Sequence, residues 1–296
     1  MLVIGVDVGG SKASIGLIDT TNGTVLDRAL VRTPPLADAG APFIAAVADA
    51  ARALQARTGA EVTAAGIGIC EIVDAAGEIV SAYRVRWTSA DIRQAFAFAG
   101  QVVIEADIRA AAVAEARFGA GRGLSHWIYA NAGTGVAIVL MMGEKPYPGG
   151  HGRAVIAGMS SSSFTAADAP CIEEIAGGAG MLLRARRAGI AVDHASALLD
   201  RAATGDVASQ AIVVEGGAVF GRMLGMLANT LDPEAVVIGG GIASASPQFM
   251  DACRTAFRSS IWYDGADVPP AFLARLGADS GLIGAAVCAI AHPAEK

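Results

Sequence analysis

The chain has 296 residues, 53% of them hydrophobic and 17% charged, with 28 acids against 22 bases and a net charge of −6. So apolar a composition excludes a disordered chain, and the acidic balance removes the general electrostatic pull on which nucleic-acid binding relies. The four cysteines, Cys70, Cys171, Cys253 and Cys288, are scattered with no CxxC pair, which excludes a disulfide framework and fits a reducing cytoplasm.

The opening MLVIGVDVGG lacks a basic n-region, so no signal peptide is expected. It reads as a strand, followed by ASIGLIDT and, through an Asn22-Gly23 turn, by TTNGTVLDRALV. Residues Pro42 to Thr58 carry apolar positions at helical spacing. TAAGIGICEIVD and GEIVSAY read as further strands, Ser89 to Phe98 as a short helix, and QVVIEAD as a strand entering an alanine-rich helix. HWIYANAGTGVAIVLMMGEK repeats the pattern of strand, glycine turn and strand. Asn131, Gly133, Thr134 and Gly135 interrupt its apolar run, which falls short of the ~20 residues of a membrane span, so no membrane association is expected. A helix-rich run from about Ile172 to Leu231, the strand AVVIGGG, another helix and the helix SGLIGAAVCAIA complete the chain. Two halves that each open on a glycine-turn hairpin predict a duplicated α/β domain pair with mixed sheets and a ligand cleft between the halves.

Three glycine turns follow strands: DVGGSK (Asp7, Gly9, Gly10, Ser11, Lys12), AGTGVA (Gly133, Thr134, Gly135) and IGGGIA (Gly239, Gly240, Gly241). Glycines there let a backbone approach phosphate oxygens, while Ser11 and Thr134 add hydroxyl donors. Asp7 is placed to hold Mg²⁺ through water. No GxxxxGK[ST] occurs, which excludes a Walker-type NTPase. VVIGGGIAS resembles the start of a dinucleotide fingerprint, but the window about twenty residues on, CRTAFRSSIW, holds no acid.

VIEADIRAAAVAE raises one question, whether Asp107 caps the alanine-rich helix or does chemistry at its start. Asp is a favoured N-cap residue. A carboxylate at a helix N-terminus also stays ionised, as a general base must.

GVDVGGSK, EADIRAAAVAEARFGAGRG, AGTGVAIVL, LANTLDPEAVVIGGG and LGADSGLIGAA together resemble the ROK family (repressors, open reading frames, kinases) of actin-like sugar kinases. The resemblance spans nearly the whole chain. It implies a two-lobed, actin-like (ribonuclease H-like) fold, with a smaller lobe over residues 1–118, a larger lobe over 119–281, and a C-terminal helix, about 282–296, packed back on the first. It makes Asp107 the catalytic base for phosphoryl transfer, gives Gly9, Gly10 and Gly133 to Gly135 to the phosphates and Gly239 to Gly241 to the adenosine, and implies ATP, Mg²⁺ and a homodimer.

Departures from the family pattern fall on the acceptor side. The Glu and His that hold sugar hydroxyls are replaced by Ile156 and Met159, and the cysteine-rich zinc loop keeps only Cys171, so no zinc site is expected. Ala106, Arg84 and Arg109 stand where the family has asparagines. Arg109 is expected at the surface, and Arg84 either toward the acceptor or in solvent. Glu105, Glu173, Arg84 and His151 are the remaining acceptor-side candidates. Glu173 doubles as a first-turn helix acid, and His151 reads more naturally as a turn residue. A pocket with the base and the phosphate turns but without the hydroxyl clamps predicts a kinase of a sugar-like polyol, in particular a C7 cyclitol of the valiolone type. A hexose or amino-sugar kinase, and a non-catalytic ligand sensor, are the competing expectations. The sensor is disfavoured because no basic DNA-binding segment precedes the first glycine turn.

Overall fold

The structure, a computed structural model, describes residues 1–59 and 61–291. The chain forms two compact units, each with its own mixed sheet. The first unit comprises Met1–Arg122, Glu144–Ala154 and the described residues from Ala278 on, and the second comprises Gly123–Gly143 and Val155–Gly277.

In the first unit, β1 (Leu2–Val8), β2 (Lys12–Asp19), β3 (Thr24–Arg32), β4 (Ala64–Ile69) and β5 (Gln101–Ala106) make a sheet in the order β3-β2-β1-β4-β5. The first three strands are antiparallel, because tight turns join them, with Gly23 at φ 76° taking the left-handed position of the second turn. Crossovers make β1, β4 and β5 parallel. Helix α1 (Ala41–Thr58) starts with Pro42 in its first turn and ends at Gly59 in the left-handed conformation. Short helix α2 (Ser89–Ala95) is opened by a Thr88–Asp91 capping box. Helix α3 (Asp107–Phe118) follows β5 directly.

The expected helix at about 282–296 is α10 (Ser280–Ala291) within the first unit, and residues 292–296 lie outside the described residues. Its apolar faces pack on α3, β1 and β4. At Gly66 a Cβ would lie 1.7 Å from the Ala285 carbonyl oxygen, so sheet and helix touch backbone to backbone. The first unit also holds the two-residue strand β8 (Lys145–Pro146).

GEIVSAY forms no strand, contrary to expectation. Among the described residues, a single bridge, Val73↔Ile79, is the strand pairing it makes. The amides further along, at residues 83–85, are taken by the Glu71 carboxylate, so they are not offered to a neighbouring strand.

In the second unit the sheet order is β10-β9-β6-β7, built from β6 (His126–Ala132), β7 (Val136–Met142), β9 (Ala235–Gly239) and β10 (Ala271–Leu273). The β6–β7 hairpin is antiparallel, and β6, β9 and β10 are parallel. This repeats the β2-β1-β4-β5 part of the first sheet, and register places Asn131 opposite Gly239 where Asp7 stands opposite Gly68. Helices α4 (Ile172–Ala176), α5 (Gly178–Arg187), α6 (Ala195–Ala203), α7 (Val207–Leu231), α8 (Gly241–Ala245) and α9 (Pro247–Ser260) complete the unit. By length and composition α7 could cross a bilayer, yet its Ile212, Val213, Phe220 and Leu224 pack into the core of this unit with Phe249, Cys253 and Phe257 of α9.

Candidate functional site

In the first unit four carboxylates gather at the C-terminal ends of the parallel strands. Asp7 occupies the penultimate position of β1, paired with Gly68 of β4, which in turn pairs with Glu105 of β5. Asp107 lies two residues past Glu105, as the first residue of α3. Glu71 follows β4 by two residues.

Asp107 is not the N-cap. Ala106 occupies that position without a side-chain cap bond, and one Asp107 carboxylate oxygen accepts the Ile108 amide at 2.6 Å. Its ionisation also differs from the expectation of a helix-stabilised anion. Its pKa is pushed up to about 7, by burial first and then by the Asp7 charge, with the Ile108 bond pulling it down and Glu71 adding a smaller push up. Burial likewise raises Asp7 to about 6, against the pull of the Lys12 ammonium. Cys70, beside the same acids, has its thiol pushed up by burial first and then by Asp107, Glu71 and Asp7. A general base for an alcohol works best with a pKa near the working pH, and Asp107 has that property.

The Gly9–Lys12 turn is closed by the Gly9 amide donating to the Lys12 carbonyl at 3.0 Å, and Thr33 anchors it by donating from its hydroxyl to the Gly9 carbonyl at 2.8 Å. Neither Gly9 nor Gly10 has a positive φ, so these glycines serve by leaving room. Beyond the place of a Gly10 Cβ the nearest neighbour is Arg84 Nε, at 3.9 Å. Gly281 of α10 is also required, since a Cβ there would lie 2.7 Å from Asp7 Cγ.

Arg84 is placed beside this turn by a residue missed in the sequence. Glu71, 5% exposed, accepts hydrogen bonds from the Ser81 hydroxyl and from the amides of Tyr83 (2.8 Å), Arg84 and Val85 (3.0 Å). The available signal was a lone acid in ICEIV directly after a strand.

Arg109 is buried, contrary to expectation. It pairs with Glu105 at 2.6 Å and donates to the carbonyls of Val73 (2.6 Å) and Gly152 (3.1 Å). A guanidinium so saturated tolerates burial. Glu105 is thereby committed to Arg109 and to its neighbouring Ala106 amide. His151 is exposed and lines an open hollow with Asp74, Val80 and Arg153.

In the second unit the other two glycine turns meet at Asn131. A Cβ at Gly133 would lie 3.1 Å from Asn131 Nδ2, and one at Gly240 would lie 2.7 Å from Asn131 Oδ1. Asn131 was also missed, although it is the polar residue just before a glycine turn, as Asp7 is. Gly240 is left-handed at φ 98°, whereas Gly241 has nothing within 4 Å of its Cβ position. The carbonyls of Gly133 and Thr134 accept the Gly178 and Ala179 amides at the start of α5. Glu173 sits on the same turn: its Oε2 accepts the Val136 amide at 2.8 Å, and a Gly135 Cβ would lie 2.4 Å from that oxygen. Ile156 and Met159 are exposed, at 42% and 61%. Cys171 is the N-cap of α4, its amide held by Glu174 at 2.8 Å. Among the described residues no group of three or more His, Cys, Asp or Glu is arranged for a metal ion.

The ROK family profile matches residues 3–292. A glucokinase of Streptomyces coelicolor is 30% identical over 320 residues, covering 96% of this chain and 96% of its own. The bifunctional enzyme NanE/NanK of Brucella melitensis biotype 1 is 30% identical over 296 residues, which are 96% of this chain and 53% of that enzyme. The crystal structure of a ROK family glucokinase from Streptomyces griseus in complex with glucose and AMPPNP aligns at a TM-score of 0.84 and 28% identity, covering 99% of this chain and 100% of that one. These likenesses match the α/β, actin-like fold expected from the sequence.

Proposed function

The chain belongs to the ROK family, and from that membership we infer that it is a carbohydrate kinase, transferring the γ-phosphoryl group of ATP to a hydroxyl of a sugar-like polyol. The observation that carries this reading is the coupling of Asp107, with a pKa near 7, to Asp7 at the strand ends beside the Gly9–Lys12 turn. The acceptor oxygen attacks the γ-phosphorus, the bond to the β,γ-bridging oxygen breaks, ADP leaves, and Asp107 takes the hydroxyl proton. Magnesium carried with the nucleotide neutralises charge on the phosphates. The raised carboxyl pKa of Asp7, opposed by the Lys12 charge, fits a group that meets such a cation through water. The turns at Gly133–Gly135 and Gly239–Gly241 are assigned to the nucleotide, and Glu173 and His151 to the acceptor side.

For the acceptor we favour a C7 cyclitol of the valiolone type, phosphorylated on its hydroxymethyl group. Exposed Ile156 and Met159 support this, since neither can bond the hydroxyls of an anomeric carbon that a carbocycle lacks. The relatives named glucokinase and NanE/NanK support a hexose or amino sugar instead. A cytoplasmic homodimer is part of the same reading.

ADP release from Mg-ATP, measured over hexoses, amino sugars and C7 cyclitols with wild type and Asp107→Asn, tests both levels. Turnover of a cyclitol that the variant loses is the expected result. Efficient glucose turnover with none on cyclitols would remove the cyclitol, and no turnover on any acceptor would remove the kinase.

A further inference from the structure

We propose that Arg84 binds the terminal phosphoryl group of the nucleotide at the Gly9–Gly10 turn. The inference rests on the kinase reading and names a phosphate ligand within it.

Three observations lead there. The side chain lies against the turn, with Nε 3.9 Å from the place a Gly10 Cβ would take, and no side chain of Gly10 stands between them. Its backbone is fixed, because the Glu71 carboxylate holds the amides of Tyr83, Arg84 and Val85. Arg84 is exposed, and among the described residues no carboxylate forms an ion pair with it, whereas Arg109 is saturated. A rigidly carried, unpaired arginine beside a glycine turn presents a planar fork of donors, which matches two phosphate oxygens. Lys12 is differently engaged, as its charge already acts on Asp7. Arg84 therefore supplies positive charge that the acids at this site do not already use.

The test needs no acceptor. Binding of Mg-AMPPNP and Mg-ADP is measured by calorimetry on wild type, Arg84→Gln and Arg84→Lys, with thermal melts confirming that the variants fold. Arg84→Gln is expected to weaken AMPPNP by about tenfold or more, the size of a lost charge-assisted contact, and to leave ADP unchanged. Arg84→Lys keeps the charge without the fork and falls between. Equal loss for both nucleotides, or for neither, overturns the proposal. In the second case a raised KM confined to the acceptor would assign Arg84 to an anionic acceptor instead. Failure of wild type to prefer AMPPNP over ADP also overturns it. Wild type that shows the preference, loses it in Arg84→Gln and yet phosphorylates no acceptor would sink the kinase reading and leave the phosphate contact standing.

Discussion

The Asp7 charge acts on Asp107 across Gly68, a strand position without a side chain. Gly68 pairs with Asp7 in register, and a Cβ there would lie 3.6 Å from the Asp107 Cα. Asp7 of β1 and Asp107 at the start of α3 are thus neighbours, and the Asp7 charge is the largest cause after burial of the raised Asp107 pKa. The Asp7 charge thereby favours a proton on Asp107.

The pH dependence follows with a definite sign. Both folded-state values, about 6 and about 7, lie above the ordinary 3.8. The folded chain holds these protons more tightly than the unfolded chain does. The stability they contribute is complete below about 3.8 and is lost as the pH rises through about 6 and about 7. Asp206, lowered to about 2 by its Ser209 and Arg201 bonds, has the opposite slope, but below that window. Melting temperature should therefore fall between pH 5 and pH 8, more weakly in Asp7→Asn and Asp107→Asn. Turnover should run the other way and rise through the same interval as the base ionises. A flat melting profile in wild type would contradict the paired burial.

Asp107→Asn should lower kcat by about 10²- to 10⁴-fold, the usual contribution of a positioned base. It should also melt at or above the wild-type temperature at pH 8, because it removes a buried charge that Asp7 opposes. Loss of activity together with loss of stability would make Asp107 a structural residue.

Arg109→Met strips Glu105 of its partner and removes the donors to the Val73 and Gly152 carbonyls. The cost should be about 3–5 kcal/mol, that of breaking a buried pair from one side. In denaturant titrations Glu105→Gln combined with Arg109→Met should recover part of it, since no unpaired charge remains. A single variant as stable as wild type would show that the pair is dispensable.

Gly135→Ala and Gly240→Ala should separate side-chain from backbone constraint. The first meets the movable end of Glu173, costing the Val136 hydrogen bond and about 1–3 kcal/mol for an unsatisfied amide. The second would put a Cβ 2.3 Å from the Ala132 carbonyl oxygen, at a φ of 98° that alanine rarely adopts. Urea midpoints should fall further for Gly240→Ala, and an equal drop would show that the Gly240 backbone relaxes freely.

The sheets were legible because β-branched runs, the Asn22-Gly23 turn and two glycine-turn hairpins are local signals. Helix α10 was equally plain from an apolar run without breaks. The segment Gly77 to Tyr83 misled because its residues favour strands, while the amides at its end and just beyond are claimed by the Glu71 carboxylate. For Arg109 the Glu105 partner was visible four residues before it, but the Val73 and Gly152 carbonyls that justify burial were not. The site divided in the same way. Asp7, Asp107 and the glycine turns announce themselves by type and spacing, whereas the elevated pKa of Asp107 depends on Asp7, a hundred positions away in the chain.

Glu71 secures three amides of the 83–85 loop, and none of those bonds uses a side chain of residues 83, 84 or 85. The shape of that loop is therefore indifferent to what residues 83 and 84 carry. Selection can rewrite the chemistry displayed there one codon at a time while the scaffold beneath remains the same.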